Sequence, residues 1–203
     1  MSIEFFITSL VVVLVPGTGV IYTLATGLTR GGGISMAAAF GCTLGILPHI
    51  AAAVLGLAAL LHASAMAFQI VKFAGVVYLL YMAWAALREK GELAVDEKID
   101  VRSIRGVILK GFLINILNPK LSIFFLAFLP QFIPAGTEYV ALRMTGLGGI
   151  FMLMTLVIFI GYGIFAASVR RHIVSRPRFM TWVRRIFSAT FVTLGVRLAL
   201  AER

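Results

Sequence analysis

The chain has 203 residues, of which 61% are hydrophobic and only 13% are charged, and its mean hydropathy is +1.03. This composition excludes an ordinary soluble domain and indicates a membrane protein. The net charge of +10 comes from basic residues that lie between apolar stretches, so we expect no nucleic-acid partner. The single cysteine, Cys42, excludes an internal disulfide or a dithiol redox pair within one chain.

Six apolar stretches are long enough to cross a bilayer as helices, which takes roughly 20 residues each. They comprise residues 3–28, 34–61, 65–87, 106–133, 142–169 and 183–201. Strand-type alternation is absent, so the sequence predicts an all-α membrane protein with about six transmembrane helices. We expect the first stretch to be a span and not a cleaved signal peptide, because Glu4 lies where a signal peptide carries positive charge.

The first predicted span is interrupted near its middle by the sequence VPGTGV, residues 15–20. Pro16 breaks the hydrogen-bond pattern of a helix, and Gly17 and Gly19 permit backbone angles that other residues resist. We therefore expect the helix to end and restart here. The restarted half presents free N–H groups that suit a carboxylate, and the preceding half ends in unpaired carbonyls that suit an ammonium or a cation. Thr18 adds a hydroxyl at the same level.

The second predicted span contains a histidine and two closely spaced glycines. His49 is interpreted either as a hydrogen-bonded packing residue or as a polar pocket group or proton-coupling site, because histidine ordinarily titrates near neutral pH. Gly41 and Gly45 form a face of small residues, which predicts close helix packing.

The longest polar stretch, residues 88–105, divides the chain near its midpoint. We expect a first three-helix repeat in residues 1–87, a cytoplasmic linker in 88–105, and a second three-helix repeat in 106–203. Two related halves with an odd number of spans must be inverted relative to one another. Pro16 and Pro119 interrupt the first span of each half, so helices 1 and 4 are predicted to be broken. Paired interruptions of this kind indicate a transporter's binding site.

The fourth predicted span is interrupted by the sequence NILNPK, which begins at Asn115. Asn115 and Asn118 are three residues apart, which places both amides on one helical face. Pro119 pushes Asn118 out of helical geometry. Lys120 lies close to the middle of the span, where an ammonium costs ~3 kcal/mol on insertion scales. We therefore expect Lys120 to face protein, water or a ligand.

Basic residues are distributed unevenly over the predicted connections. With six spans, the three connections on one side of the membrane carry thirteen lysines and arginines, and the opposite side carries three. The thirteen are Arg30, Arg88, Lys90, Lys98, Arg102, Arg105, Lys110, Arg170, Arg171, Arg176, Arg178, Arg184 and Arg185, and the three are Arg143, Arg197 and Arg203. The positive-inside rule places the basic connections in the cytoplasm, near anionic membrane lipid, and both termini outside.

The predicted spans contain no Asp or Glu apart from Glu4 at the edge of the first. This excludes a relay of buried carboxylates and leaves a strongly cationic substrate without a counter-ion. The sequence signatures of zinc proteases, serine hydrolases and nucleotide-binding loops are also absent. We therefore expect no enzyme activity, no catalytic residues, no cofactor and no bound metal.

Five segments together resemble the LysE/RhtB-type amino-acid exporters over nearly the whole chain. They are VPGTGVIYTLATGLTRGG from residue 15, AAAFGCTLGILPHIAAAVLGLAALL from 37, VKFAGVVYLLYMAWAALR from 71, GFLINILNPKLSIFFLAFLPQF from 111 and FSATFVTLGVRLAL from 187. The fourth is the most specific. The chain departs from the family pattern at Thr18, which replaces the second proline of the signature, and at the first turn, whose basic pair is reduced to Arg30 and a triple glycine.

The resemblance implies a small transporter of the bacterial inner membrane that exports amino acids or their derivatives. It further implies that an ion gradient drives export, with the proton as the expected coupling ion, and that the protein works as a homo-oligomer. It does not identify the substrate, because members of the family export neutral, basic and hydroxylated amino acids.

The sequence therefore predicts secondary active export of a small zwitterionic solute, with a neutral or hydroxylated amino acid favoured, by alternating access. The candidate substrate-binding residues are Pro16, Gly17, Thr18, Gly19, His49, Asn115, Asn118, Pro119 and Lys120. In this hypothesis Lys120 and the N–H groups of residues 17–19 hold the carboxylate, and backbone carbonyls and the two asparagine amides hold the ammonium. The alternative is a non-transporting membrane subunit that packs against a partner protein.

Overall fold

The computed structural model describes residues 2–15, 17–62, 103–134 and 137–173 and the single positions 70, 73, 76, 77, 80, 81, 84, 192 and 196. The elements of this described part are all helical. They are α1 (Ile3–Leu14), α2 (Thr18–Arg30), α3 (Gly32–Leu44), α4 (Leu47–His62), α5 (Ile104–Ile116), α6 (Pro119–Ile123), a π-helical turn (Phe124–Phe128), a 3-10 turn (Leu129–Phe132) and α7 (Val140–Ile173).

Two of the predicted spans are bent helix pairs. The helix axis bends by 53° between α1 and α2, and by 51° between α5 and the segment Pro119–Phe132. A proline lies at each break, because the sequence places Pro16 between α1 and α2 and Pro119 at the start of α6. Pro16 itself lies outside the described residues. The first and fourth predicted spans are therefore both interrupted, as the sequence indicated.

The described part contains two continuous stretches that are long and apolar enough to cross a membrane, Gly32–Gly56 and Val140–Val169. Four spans result when each bent pair is counted as one. The third and sixth predicted spans and most of the linker 88–105 lie outside the described residues apart from single positions. The structure is thus that of a multi-pass helical membrane protein, and the arrangement as two inverted three-helix repeats stays a prediction.

The second span begins and bends at glycines. Gly31 ends α2 and precedes α3 with a φ of 88°, which residues with a side chain rarely adopt. At Gly45 and Ile46 the helix is interrupted by a turn before α4 begins. The sequence predicted one span here, and Gly32–Gly56 still forms one stretch long enough to cross a membrane. The local turn has a cause in the sequence, because Pro48 has no N–H for the carbonyl four residues before it. Gly45, in this turn, packs against α5. A Cβ at Gly45 would lie 2.7 Å from the Cβ of Asn115.

Close helix contacts bring the two halves of the chain together. Helix α3 packs along α5, and both α2 and α3 pack along α7. At Gly41 the two backbones approach so closely that a Cβ would overlap the carbonyl oxygen of Ile108. The predicted role of Gly41 and Gly45 in close packing is therefore confirmed. The contact fixes the end of α5, and with it the second break, beside the first half.

A cluster of phenylalanines joins the second break to α7. The Phe124 and Phe151 rings stack with their centroids 4.6 Å apart. The Phe125 and Phe151 rings pack edge to face with their centroids 5.3 Å apart. All three side chains are buried. Because aromatic pairs of this geometry add to the energy of burial, the π-helical turn is held firmly against α7.

Candidate functional site

The first break leaves backbone groups of both signs without partners inside their own helices, at adjoining positions. The last carbonyls of a helix and its first N–H groups have no partners within the helix. Helix α1 ends at Leu14, and α2 begins at Thr18 after Gly17, which supplies no side-chain cap. The end of α1 therefore carries partial negative charge, and the uncapped start of α2 carries partial positive charge.

The second break differs because a side chain caps it. Helix α5 ends at Ile116, and Asn118 precedes α6 in an extended conformation. The Oδ1 of Asn118 accepts a hydrogen bond of 3.1 Å from the backbone N–H of Lys120. This is a standard helix N-cap, with Pro119 at the first helical position where its missing N–H costs nothing. The free N–H groups of this break are thus partly used, whereas those of α2 are not.

Lys120 lies at the second break, and its side chain donates hydrogen bonds to the backbone at the first break. Its side chain is buried, with 5% of its surface exposed. The Nζ donates to the carbonyl oxygen of Val15 at 2.7 Å and to that of Val12 at 3.0 Å. The spans carry no acidic residue besides Glu4, so these carbonyls, at the negative end of the α1 dipole, replace a carboxylate as its partners.

Both breaks line one cavity. Its polar wall is formed by Gly17, Gly19, Asn115, Asn118 and Lys120, and the other lining residues are Val12, Val13, Val20, Leu121, Phe151, Thr155 and Phe159. The cavity has a free volume of about 10 Å³. That is room for roughly one water. An amino acid therefore enters this cavity only if some of the lining groups move.

The two asparagine amides form a connected network. Asn115 donates through Nδ2 to the carbonyl of Cys42 at 2.7 Å, and its Oδ1 accepts from Nδ2 of Asn118 at 3.2 Å. Both side chains are buried. Gly19 lies directly against this network, since a Cβ there would be 2.5 Å from Oδ1 of Asn115. The network joins the second span, the second break and the start of α2 at one point.

His49 lies next to the cavity without lining it. Its Nε2 is 2.9 Å from the carbonyl oxygen of Asn115, and because a carbonyl only accepts, Nε2 is the donor. The Nδ1 is 3.4 Å from the hydroxyl of Ser122, and the ring stacks on Phe125. The carbonyl of Asn115 also accepts from the backbone N–H of Asn118 at 3.0 Å, so His49 is its second donor and contacts the cavity lining through Asn115.

Of the nine predicted site residues, five line the cavity: Gly17, Gly19, Asn115, Asn118 and Lys120. Thr18 and Pro119 are exposed, and neither is among the lining residues. Pro16 lies outside the described residues. The assignment of all nine to substrate binding stays a prediction.

Helix α7 contributes residues that the sequence analysis did not single out. Phe151, Thr155 and Phe159 line the cavity at a spacing of four, which puts them on one helical face. Tyr162 donates its hydroxyl to the carbonyl of Leu14 at 2.9 Å, beside the two carbonyls that Lys120 holds. The signal that could have found them is a hydroxyl recurring on one face of an otherwise apolar span.

Comparisons with known proteins cover nearly the full length. A family model described as LysE type translocator matches residues 10–202. A homoserine/homoserine lactone efflux protein of Salmonella typhimurium is 28% identical over 202 residues, covering 98% of this chain and 95% of that protein. A leucine efflux protein of Enterobacter sp. (strain 638) is 27% identical over 197 residues, covering 93% and 90%. An uncharacterized membrane protein of Vibrio cholerae serotype O1 is 30% identical over 200 residues, covering 98% and 97%.

No solved structure shows a significant match to the chain. The family match extends across both helix breaks and the cavity they line. The resemblance seen in the sequence is confirmed, and these relatives match over at least nine-tenths of both chains. This chain belongs to the family of LysE type translocators, which are membrane transporters and not enzymes.

Proposed function

We propose that this protein exports a small amino acid, neutral or hydroxylated, across the cell membrane by secondary active transport. The observation that carries the proposal is that two helix breaks from different halves of the sequence line one cavity together with a buried lysine. Helix breaks of this kind are the usual substrate and ion sites of secondary transporters. The relatives named for efflux of homoserine, homoserine lactone and leucine support the substrate class.

The geometry suits a zwitterion. The uncapped start of α2 offers free N–H groups to a carboxylate, and Lys120 lies beside it, since a Cβ at Gly17 would be 3.2 Å from Nζ. The carbonyls at the end of α1 and the amide oxygens of Asn115 and Asn118 offer acceptors to an ammonium. A substrate bound here has its two charges matched by backbone ends and polar side chains of the same cavity.

The cavity is lined by residues from both halves of the chain, which supports transport by alternating access. Rocking of one half against the other opens the cavity to each side of the membrane in turn. We propose the proton as the coupling ion, a homo-oligomeric assembly in the bacterial inner membrane, and cytoplasmic placement of the basic connections. Lipid contacts the exposed apolar side chains of the spans, among them Leu55 and Leu153.

The experiment is to overproduce the chain in bacteria fed with a series of dipeptides and to quantify every amino acid in the medium. The cells hydrolyse the dipeptides, which raises the internal concentration of amino acids, and an exporter releases its substrate from this pool into the medium. We expect one or a few neutral or hydroxylated amino acids to accumulate in the medium several-fold above cells that carry an empty vector. Release of no amino acid, with the protein present in the membrane, would instead favour a non-transporting subunit.

A further inference from the structure

The ammonium of Lys120 makes the contacts that the ammonium of a transported amino acid needs. Its Nζ holds the carbonyl oxygens of Val12 and Val15 at 3.0 and 2.7 Å. These are two of the carbonyls left unpaired by the end of α1, and such carbonyls are the natural acceptors for a primary ammonium in a broken span. The site is therefore filled by a group of the protein itself.

We propose that the carbonyls of Val12 and Val15 form an ammonium-binding subsite, that Lys120 occupies it in the substrate-free protein, and that the ammonium of the substrate displaces Lys120 to open the cavity. The inference rests on the proposed function only for the identity of the displacing solute. Lys120 is then a positioning residue that selects the solute, because a substrate binds only by replacing Lys120 at these carbonyls.

Charge balance decides which solutes achieve the displacement. A primary ammonium replaces a primary ammonium at the carbonyls, so the hydrogen bonds that are lost are made again. The displaced Lys120 stays buried in spans that carry no acidic residue besides Glu4, where an unpaired charge is costly. The solute must therefore bring its own carboxylate to pair with Lys120. A simple amine lacks that carboxylate, and a simple carboxylic acid lacks the ammonium.

The displaced ammonium of Lys120 has only a short distance to move, from the carbonyls at the end of α1 to the start of α2. A Cβ at Gly17 would lie 3.2 Å from Nζ and 3.3 Å from Cε of Lys120, so the end of the lysine already touches the residue that begins α2. A short rotation of the side chain carries the ammonium from the end of α1 to a carboxylate held at the start of α2. Because the free volume is only about 10 Å³, a solute enters the cavity as Lys120 moves, so displacement and binding occur together.

The test replaces the lysine side chain by a free amine. Lys120→Ala removes Cγ, Cδ, Cε and Nζ, which are the atoms of n-propylammonium, and leaves the carbonyls of Val12 and Val15 unpartnered. The purified variant and the wild-type protein are unfolded by heat in detergent with n-propylammonium chloride or with an equal concentration of sodium chloride. We expect the amine to raise the Tm of Lys120→Ala by about 2–4 °C at several times its Kd. No rise is expected for the wild type.

Three further variants keep the test decisive. Lys110→Ala removes a lysine from α5 that does not line the cavity, and it should gain no amine binding. Lys120→Met fills the space with an uncharged chain of similar length and should exclude the amine. Lys120→Ser leaves the same space with a hydroxyl and replaces the alanine variant if that variant does not fold. Equal amine binding by the wild type, or none by a folded Ala or Ser variant, would overturn the proposal.

The amine experiment needs no transport, so its outcome is separate from that of the efflux experiment. If cells release no amino acid but Lys120→Ala binds n-propylammonium, the subsite stands and the proposed export function is wrong. If cells export an amino acid but neither small variant binds the amine, the export function stands and the displacement of Lys120 is wrong.

Discussion

At the scale of single residues, the shape of the cavity depends on how firmly the Asn115 amide is held. Its Nδ2 bonds the carbonyl of Cys42, its Oδ1 bonds Asn118, and His49 bonds its backbone carbonyl. A buried amide with this many partners turns aside only by losing hydrogen bonds. The neighbouring position, Gly19, therefore has to lack a side chain.

The first residue-scale prediction concerns Gly19→Ala. The new Cβ would lie 2.5 Å from Oδ1 of Asn115 and 3.1 Å from its Cγ and Nδ2, so the amide must shift and give up bonds to Cys42 or Asn118. We expect the rate of amino-acid export to fall by about tenfold or more, because one lost buried hydrogen bond costs about 1 kcal/mol and also leaves a polar group unpaired. The measurement is the initial efflux rate per amount of protein in the membrane.

Gly146→Ala is the matched control for that substitution. Gly146 is also a helical glycine, and no atom of the described residues lies within 4 Å of a Cβ at that position. Alanine also has a higher helix propensity than glycine, so the export rate of Gly146→Ala should stay near that of the wild type. Full export by Gly19→Ala, or the same loss in both variants, would show that contact with Asn115 does not shape the site.

Sequence reasoning found the charged and amide side chains of the cavity because each is conspicuous in an apolar span, and it missed Thr155, whose hydroxyl is not. Lys120, Asn115 and Asn118 cost free energy in hydrocarbon unless they have partners, which makes them candidates at once. It did not find the partners of Lys120, because the carbonyls of Val12 and Val15 belong to residues whose side chains carry no signal. Which backbone atoms meet Lys120 is decided by helix packing across a separation of 105 to 108 residues.

At the scale of elements, the two breaks were predictable from the sequence and the π-helical turn was not. Pro16 and Pro119 interrupt helical hydrogen bonding by their own chemistry, so the breaks follow from local sequence. The turn at Gly45 also has a local cause, because Pro48 has no N–H for the carbonyl four residues before it. The π-helical turn Phe124–Phe128 has no such signal, and it is stabilised by phenylalanine packing against α7.

The contact between α3 and α5 gives an element-scale prediction. A Cβ at Gly41 would overlap the carbonyl oxygen of Ile108 and lie 2.8 Å from its carbonyl carbon, and both atoms are backbone. The helices can relieve this overlap only by moving apart. We expect Gly41→Ala to lower the free energy of unfolding by about 1–3 kcal/mol, as overpacking of a tight contact does. Thermal unfolding of the purified protein in detergent measures the change.

Gly149→Ala serves as the control for the helix contact. Among the described residues no atom lies within 4 Å of a Cβ at Gly149 in α7. The Tm of the Gly149→Ala protein should therefore equal that of the wild type or be slightly higher. An unchanged Tm for Gly41→Ala would mean that α3 and α5 do not approach at this distance.

At the scale of the whole molecule, the cavity joins the two halves of the chain. Lys120 in the second half bonds Val12 and Val15 in the first, and Tyr162 bonds Leu14 in the same way. If the halves rock to alternate access, these bonds are the ones that break and form again in each cycle. Displacement of Lys120 by a substrate would then loosen the contact between the halves as the site fills.

The most direct test of the account is exchange of a labelled amino acid by purified protein in lipid vesicles. The vesicles are loaded with the unlabelled amino acid that the efflux experiment identifies, and uptake of trace label in exchange is measured for the wild type, Lys120→Ala and Lys110→Ala. The account predicts exchange by the wild type and by Lys110→Ala, and none by Lys120→Ala although that variant inserts and folds. Exchange by Lys120→Ala at the wild-type rate would contradict it.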